Sequence, residues 1–471
     1  MTPFTNGIEL VGDGLPVPCA DGAERPYLNL DAAASTSALP PVAARVAEFL
    51  PWYSSIRGGA GYKSQVATAA YEQAHEELRC FARRDGTDDA AIICRNATDA
   101  ISHLAYRLHL EPTDVVATTV LEHHANLLPW GRVTSRRFVE CERDGTFEAG
   151  AVRAALETGP RPRLLALTGA SNVTGWLPPL EEIIESAHER CVPVLVDAAQ
   201  LAPHRALPAA ADFLAFSGHK MYAPYGAGAL IGPRSAFADG DPLLAAGGDL
   251  VDLDEVVWTV PPEREEAGSP NVVGAVALAA ATRELVNIGW KRIAEHDAML
   301  SRRLRTGLAS IPGVRLLGPE LAAETLPIAT FVVDGVPHSL VAARLSAEFA
   351  IGVRHGSFSA HPYLIRLLGL SDDELRRSRS AARNHDRRSL PGAVRASACI
   401  STTIGDIERF LDAVREVAST APAVEYLPDP ATGEYWPRDH SRPDGSLKSL
   451  TGWTPGQLRR DQRLRDRAGL P

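Results

Sequence analysis

Paired cysteines are what this sequence most plainly lacks. The six cysteines stand apart at positions 19, 80, 94, 141, 191 and 399, with no CxxC and no spacing that suits a metal ion. Structural zinc and dithiol redox chemistry are thereby excluded, and free, mostly buried thiols in a reduced cytoplasm are expected. A membrane span is lacking too. The longest Ala-rich apolar run, residues 272–281, is far too short to cross a bilayer. Residues 2–13 are mixed and polar, so no secretory core follows Met1. Positive charge is in deficit: 48 Lys and Arg stand against 58 Asp and Glu, a net charge of −10. That balance excludes nucleic acid and anionic membrane as main partners. Internal repeats are absent, which excludes solenoids and propellers.

What is present is ample core. Hydrophobic residues make up 45% of the 471 residues, enough for two domains. Short apolar runs at 91–94, 115–120, 164–168, 194–196 and 213–216 read as buried strands. Helices fall between them, from Ala97 to about Leu108 and over 180–189. The alternation implies an α/β fold with a mainly parallel central sheet covered by helices on both faces. Further helices are expected at 40–50 and 66–81, with a flexible glycine-rich loop at 57–61 between them. Helices at 275–285 and 290–308 lead into a smaller α+β domain with strands at 328–333, 351–354 and from Arg395. The divisions read as an N-terminal arm (1–26), a large domain (27–275), a small C-terminal domain (276–420) and an extension (421–471).

Two strand ends carry chemistry. One run ends in Asp197, and another ends in Ser217-Gly218-His219-Lys220. An open α/β sheet places its ligand at such ends. A lysine can form a Schiff base with an aldehyde cofactor, and an acid can keep a pyridine nitrogen protonated. The turn Asn96-Ala97-Thr98-Asp99 opens a helix and leaves N–H groups for an anion. Read alone, Thr98 serves equally as a helix cap. His123 in Glu122-His123-His124 also suits a satisfied polar residue, and Asn172 an Asx turn.

In this order, the motifs resemble the class V, fold-type I enzymes that use pyridoxal 5′-phosphate (PLP), and within them the cysteine desulfurase and selenocysteine lyase group. The resemblance covers residues 27 to about 417. It implies PLP as cofactor and an α-amino acid as substrate. It implies Lys220 as the cofactor-holding acid/base, Asp197 at the pyridine nitrogen and His123 face-on to the ring. Gln200 and Asn172 fall beside the phenolic oxygen, and Ala97, Thr98, Ser217 and His219 around the phosphate. Gly268-Ser269-Pro270 keeps the hydroxyl of the family's Gly-Thr-Pro, which reaches the phosphate of the partner subunit. A homodimer with shared active sites is therefore expected, although the motif is also a good plain turn. Arg395, with Asn172 and Arg354, is placed to bind the substrate carboxylate, which suits a planar guanidinium. Arg395 also stands near an arginine-rich surface segment.

One position departs from the pattern. Desulfurases carry a cysteine in a motif like Arg-x-Gly-x-x-Cys-Ala-x-Pro. This chain reads Arg354-His355-Gly356-Ser357-Phe358-Ser359-Ala360-His361-Pro362. Serine does not ionise near neutrality and cannot hold a persulfide. The expected function is a cytoplasmic PLP-dependent lyase that cleaves C–S bonds of cysteine S-conjugates by β-elimination. The family also contains enzymes of antibiotic pathways that process S-glycosyl-cysteine, and an amino-acid epimerase. Decarboxylation with oxidative deamination, transamination and epimerisation therefore stand as alternatives. A desulfurase fits less well because Ser359 stands at the cysteine position, and a non-catalytic scaffold because Lys220, Asp197 and His123 are all retained.

Overall fold

The computed structural model describes residues 7–84, 86, 88–246 and 248–438. Gly247 and residues 439–471, the last part of the extension, lie outside the described residues. Seven strands form the main sheet: β1 (Asp89–Cys94), β2 (Val115–Thr118), β3 (Ser135–Phe138), β4 (Leu164–Thr168), β5 (Val194–Asp197), β6 (Phe213–Ser217) and β7 (Gly228–Pro233). Their order is β1-β7-β6-β5-β4-β2-β3. Within it β7 alone runs antiparallel to its neighbours.

Every residue of β4, β5 and β6 is buried, because alternate side chains enter two covered faces. Leu165, Leu167, Val194, Val196 and Leu214 join a core completed by the helices Leu180–His188 and Val272–Ile288. Leu164, Ala166, Leu195, Phe213 and Ala215 join another, completed by the helix Ala97–Arg107. The register sets Thr168 opposite Asp197 and Asp197 opposite Ala215. The carboxyl ends of β4 and β5 therefore finish level, and β6 runs two residues further at the same edge, to Ser217.

A second, antiparallel sheet runs in the order β8 (Val314–Leu317), β9 (Ile328–Val333), β11 (Ala393–Ser397) and β10 (Arg354–Gly356). The strand expected to begin at Arg395 instead ends two residues later. Leu300, Leu304 and Leu308 lie four apart on one face of the helix Trp290–Ala309 and meet Phe331, Leu345, Phe410 and Val414. Leu28 and Leu30 belong to this smaller core. Leu28–Asn29 pairs in parallel with Ile351–Gly352, so the first residues read with the large domain close the small one.

The arm packs back on the body: Ile8 donates to Ile400 O at 2.9 Å, and Leu10 is buried in the main core. Of the extension, Tyr426–Pro428 and Tyr435–Pro437 form a hairpin. It is tied to the helix His338–Phe349 by Tyr426 Oη donating to Glu348 Oε1 at 3.0 Å. All six cysteines are free. Cys19, Cys94 and Cys399 are buried, while Cys80 and Cys191 are exposed. The expectation of mostly buried thiols fails at these two. Cys80 falls on the outer side of the last turn of the helix Tyr62–Phe81, and Cys191 sits in a left-handed turn with φ 51°. Among the described residues no single helix is long and apolar enough to cross a membrane.

Candidate active site

A cavity of about 320 Å³ opens at the carboxyl edge of β4, β5 and β6. It brings together Ala97, Thr98, His123, Asn172, Asp197, Gln200, Ser217, His219, Lys220, Arg354 and Arg395. These are all the sequence-derived site residues except Ser269, which is exposed and does not line this chain's cavity. Asn96, Phe358 and Ser359 also line it.

The floor at one end is the start of the helix Ala97–Arg107. Asn96, not Thr98, is the cap: its side chain accepts from Asp99 N at 3.0 Å. Ser217 Oγ accepts from Ala97 N at 2.8 Å. Among the described residues nothing accepts from the Thr98 N–H, and the Thr98 side chain is exposed. This end is a turn with a free donor and the positive pole of a helix. Glycine is needed beside it. A Cβ on Gly228 would lie 2.6 Å from Phe216 O and 2.7 Å from Asn96 Cα, both backbone atoms.

At the centre, Asp197 Oδ1 accepts from Ala199 N at 3.0 Å. Burial raises its carboxyl, opposed by that N–H and by Lys220. Lys220 follows β6 on a single 3₁₀ turn, Gly218–Lys220. Burial pushes its amine down to about 8, Asp197 opposes the shift, and Arg395 adds to it. His123 is driven down to about 4 by burial, with Lys220, His124 and Arg395 contributing. Its Nδ1 accepts from Ala125 N at 3.1 Å, so the neutral ring carries its proton on Nε2. Beneath it, burial lifts Glu122 to about 8 despite hydrogen bonds from Thr119 Oγ1 and Asn126 Nδ2, both 2.6 Å. Gln200 Nε2 donates to Ala33 O at 2.7 Å.

The far wall is cationic. Arg395 is 3% exposed; it donates through Nη1 to Asn172 O at 2.8 Å and through Nη2 to Asp31 Oδ1 at 3.3 Å. Its Nε is buried without an acceptor. Arg354 Nη2 meets the other oxygen of Asp31 at 2.7 Å, so two guanidiniums share one carboxylate. Burial lowers Arg395 to about 10, against the pull of Asp31. The loop between β10 and the helix His361–Leu368 closes over this wall. The Phe358 ring lies 5.0 Å from the Arg395 guanidinium, and Phe358 O accepts from Asn172 Nδ2 at 2.9 Å. Ser359 O accepts from His124 N at 2.7 Å. Phe358 and Ser359 both take left-handed backbone, with φ 55° and 53°, an unfavourable conformation for residues with a Cβ.

The donor set fits PLP. Lys220 supplies an amine of lowered pKa for the aldehyde. Asp197 keeps Oδ2 without a donor among the described residues, as a pyridine N–H needs. The Thr98 turn supplies phosphate donors, and Arg395 Nε is an orphan donor suited to a carboxylate. Sequence reasoning missed Asp31, Asn96 and Phe358. Asp31 ends a short apolar run just as Asp197 does, and that signal could have found it. Phe358 had no local signal, because its role depends on a loop folding onto residues far away in sequence.

The comparisons with known proteins agree with this geometry. The aminotransferase class-V family model matches residues 28–410. A probable cysteine desulfurase of Mycobacterium leprae is 34% identical over 406 residues, which are 84% of this chain and 62% of that protein. The match thus spans about three fifths of that relative's length. A probable cysteine desulfurase of Pseudomonas aeruginosa is 36% identical over 358 residues, 73% of this chain and 82% of that one. Among solved structures, the apo cysteine desulfurase of Thermococcus onnurineus superposes with a TM-score of 0.74 at 29% identity, covering 83% of this chain and 94% of that one. With the family model spanning most of its length and its lysine, acid and helix turn gathered in one cavity, this chain belongs to the class-V aminotransferases, enzymes of the fold-type I architecture that depend on pyridoxal 5′-phosphate.

Proposed function

We propose that the chain is a lyase of specialised metabolism that cleaves the Cβ–S bond of a cysteine S-conjugate by β-elimination. The observation that carries this reading is Ser359. It lines the cavity where a sulfur-accepting thiol is needed, and none of the six cysteines lines it. When bound, PLP supplies an electron sink for negative charge at the amino acid's Cα. Lys220, with its lowered pKa, removes the Cα proton near neutral pH. Asp197 holds a proton at the pyridine nitrogen. His123 presents a neutral ring to the cofactor face, with Gln200 and Asn172 at the phenolic oxygen. Ala97, Thr98, Ser217 and His219 hold the phosphate. Arg395, Arg354 and Asn172 hold the substrate carboxylate. A thiolate is a fair leaving group, so elimination needs no protein nucleophile.

The test is product analysis by mass spectrometry with S-methyl-L-cysteine. Methanethiol, pyruvate and ammonia are expected. A product that has lost carbon dioxide, or substrate returned with inverted Cα, replaces elimination by decarboxylation or epimerisation. Persulfide formed from free cysteine refutes the reading.

We also propose a cytoplasmic homodimer. Leu250, Val251, Leu253 and Val260 are exposed around the hairpin Gly248–Val251 and Val256–Trp258, as are Trp52, Tyr53 and Tyr62. This much apolar surface calls for a covering partner, and Ser269 is exposed as a residue serving another subunit must be. Sedimentation at micromolar concentration is expected to give a dimer that loses PLP on dissociation. A monomer that retains PLP refutes the shared site.

A further inference from the structure

The C-terminal hairpin meets the active-site wall through a chain of four polar groups. Glu434 Oε2 lies 2.8 Å from His355 Nε2. His355 Nδ1 lies 3.2 Å from His338 Nδ1. His338 Nε2 lies 3.1 Å from Leu390 O. His355 is the central residue of β10 and follows Arg354 directly. The hairpin lies beyond the 28–410 family match.

Counting protons fixes what this chain requires. Leu390 O only accepts, so His338 Nε2 must carry a proton. One proton must lie between the two Nδ1 atoms, and another between His355 Nε2 and Glu434. Two neutral imidazoles and a carboxylate hold one proton too few. The extra proton makes one of the two rings an imidazolium or makes Glu434 a neutral acid facing an imidazole, and burial lowers the His338 imidazole, which disfavours placing the charge there. Most other charges nearby are committed elsewhere, while Arg387 lies against the hairpin, its backbone N–H donating to Pro430 O at 3.0 Å. Arg344 pairs with Glu348, Tyr426 with Glu348, Arg388 with Asp386, Arg438 with Glu425 and Arg354 with Asp31. On β11 the residue opposite His355 is Val394, which does not titrate.

We propose that Glu434 is a positioning residue: through His355 and His338 it clamps the C-terminal hairpin onto the strand bearing Arg354, and the clamp is complete only while the chain of groups holds one extra proton. Raising the pH removes that proton and breaks one of the three hydrogen bonds. The hairpin and the substrate-binding loop after β10 then loosen together.

The test is amide exchange on the full-length holoenzyme from pH 6 to 9, corrected for intrinsic rates. In the wild type, protection of residues 354–359 and 426–437 should fall by about tenfold as pH rises, the scale of one charge-assisted hydrogen bond. Glu434→Ala should show the low protection at every pH. Glu434→Gln is the discriminating variant. Its amide N–H can donate to His355 Nε2, which completes the chain with two neutral rings. Protection should then stay high and become independent of pH. Glu434 is partly exposed, so neither substitution threatens folding. A Glu434→Gln protein that keeps the wild-type pH dependence, or a Glu434→Ala protein with unchanged protection, overturns the proposal. The readout does not depend on which reaction the enzyme catalyses.

Discussion

Replacing Arg395 by alanine removes the one fully buried cation at the substrate end of the cavity. Two of its donors are held by Asn172 O and Asp31, and Nε has no acceptor. A substrate carboxylate that displaces the Phe358 ring can take Nε and one Nη together. Each charge-assisted hydrogen bond contributes about 1.5–3 kcal/mol. Two of them give about 3–6 kcal/mol, or about 10²–10⁴-fold in kcat/KM. Arg395→Lys keeps charge but not the fork, and should fall between the wild type and alanine. Asp31 stays paired with Arg354 at 2.7 Å, so the variant does not strand a carboxylate. The assay is steady-state turnover of S-methyl-L-cysteine. The control ligand is 2-(methylsulfanyl)ethylamine, which has the amine and the sulfur but no carboxylate, with binding followed by the visible absorbance of PLP. Its affinity should be unchanged. A loss of less than about tenfold for the amino acid, or an equal loss for the amine, refutes the carboxylate role.

Two further outcomes follow from the same geometry. Borohydride should bleach the visible band and fix a pyridoxyl group on Lys220, one of four lysines in the chain (Lys63, Lys220, Lys291 and Lys448); peptide mapping to another lysine, or a surviving band in Lys220→Ala, refutes the assignment. The buried cluster around Glu266 predicts a pH dependence of stability. Burial opposes charge on His75, but the hydrogen bond from Nε2 to Glu266 at 2.9 Å and the Glu72 carboxylate 3.5 Å from Nδ1 outweigh it and push the ring up to about 9. A folded pKa above the ordinary 6.5 stabilises fully below 6.5 and is lost as pH rises through 9. Tm should therefore decline between those values, and a flat profile in the wild type rejects a charged His75.

The central sheet was legible because strands buried on both faces must be continuously apolar, and residues 164–168 and 213–216 have no other good reading. The ends of those strands announced Asp197 and Lys220 by the same logic. What stayed hidden depends on contacts between distant segments. Asp31 gains its meaning only when it lies between Arg354 and Arg395, 323 and 364 residues away. Thr98 and Asn96 compete for one cap, and pattern alone cannot say which side chain turns back onto the helix. The Glu434–His355–His338 chain joins three unrelated segments, none of which has a periodicity that points to the others. The exposure of Cys80 and Cys191 depends on which side of a helix end or turn faces solvent.

The pairing of Leu28–Asn29 with Ile351–Gly352 has a consequence for how the chain is made. During synthesis the first strand of the small core leaves the ribosome long before its partner exists. The whole main sheet can form while Leu28 and Leu30 wait as an unsatisfied apolar segment. Such a segment is open to wrong pairing until translation supplies Ile351 and the helices that cover it. Asp31 waits with them, so the carboxylate that organises Arg354 and Arg395 is the first part of the site to be synthesised and among the last to be placed. A nascent chain halted before residue 351 should therefore hold the Asp197 and Lys220 strand ends in near-final positions and still lack Arg354 and Arg395, the two guanidiniums that grip a carboxylate.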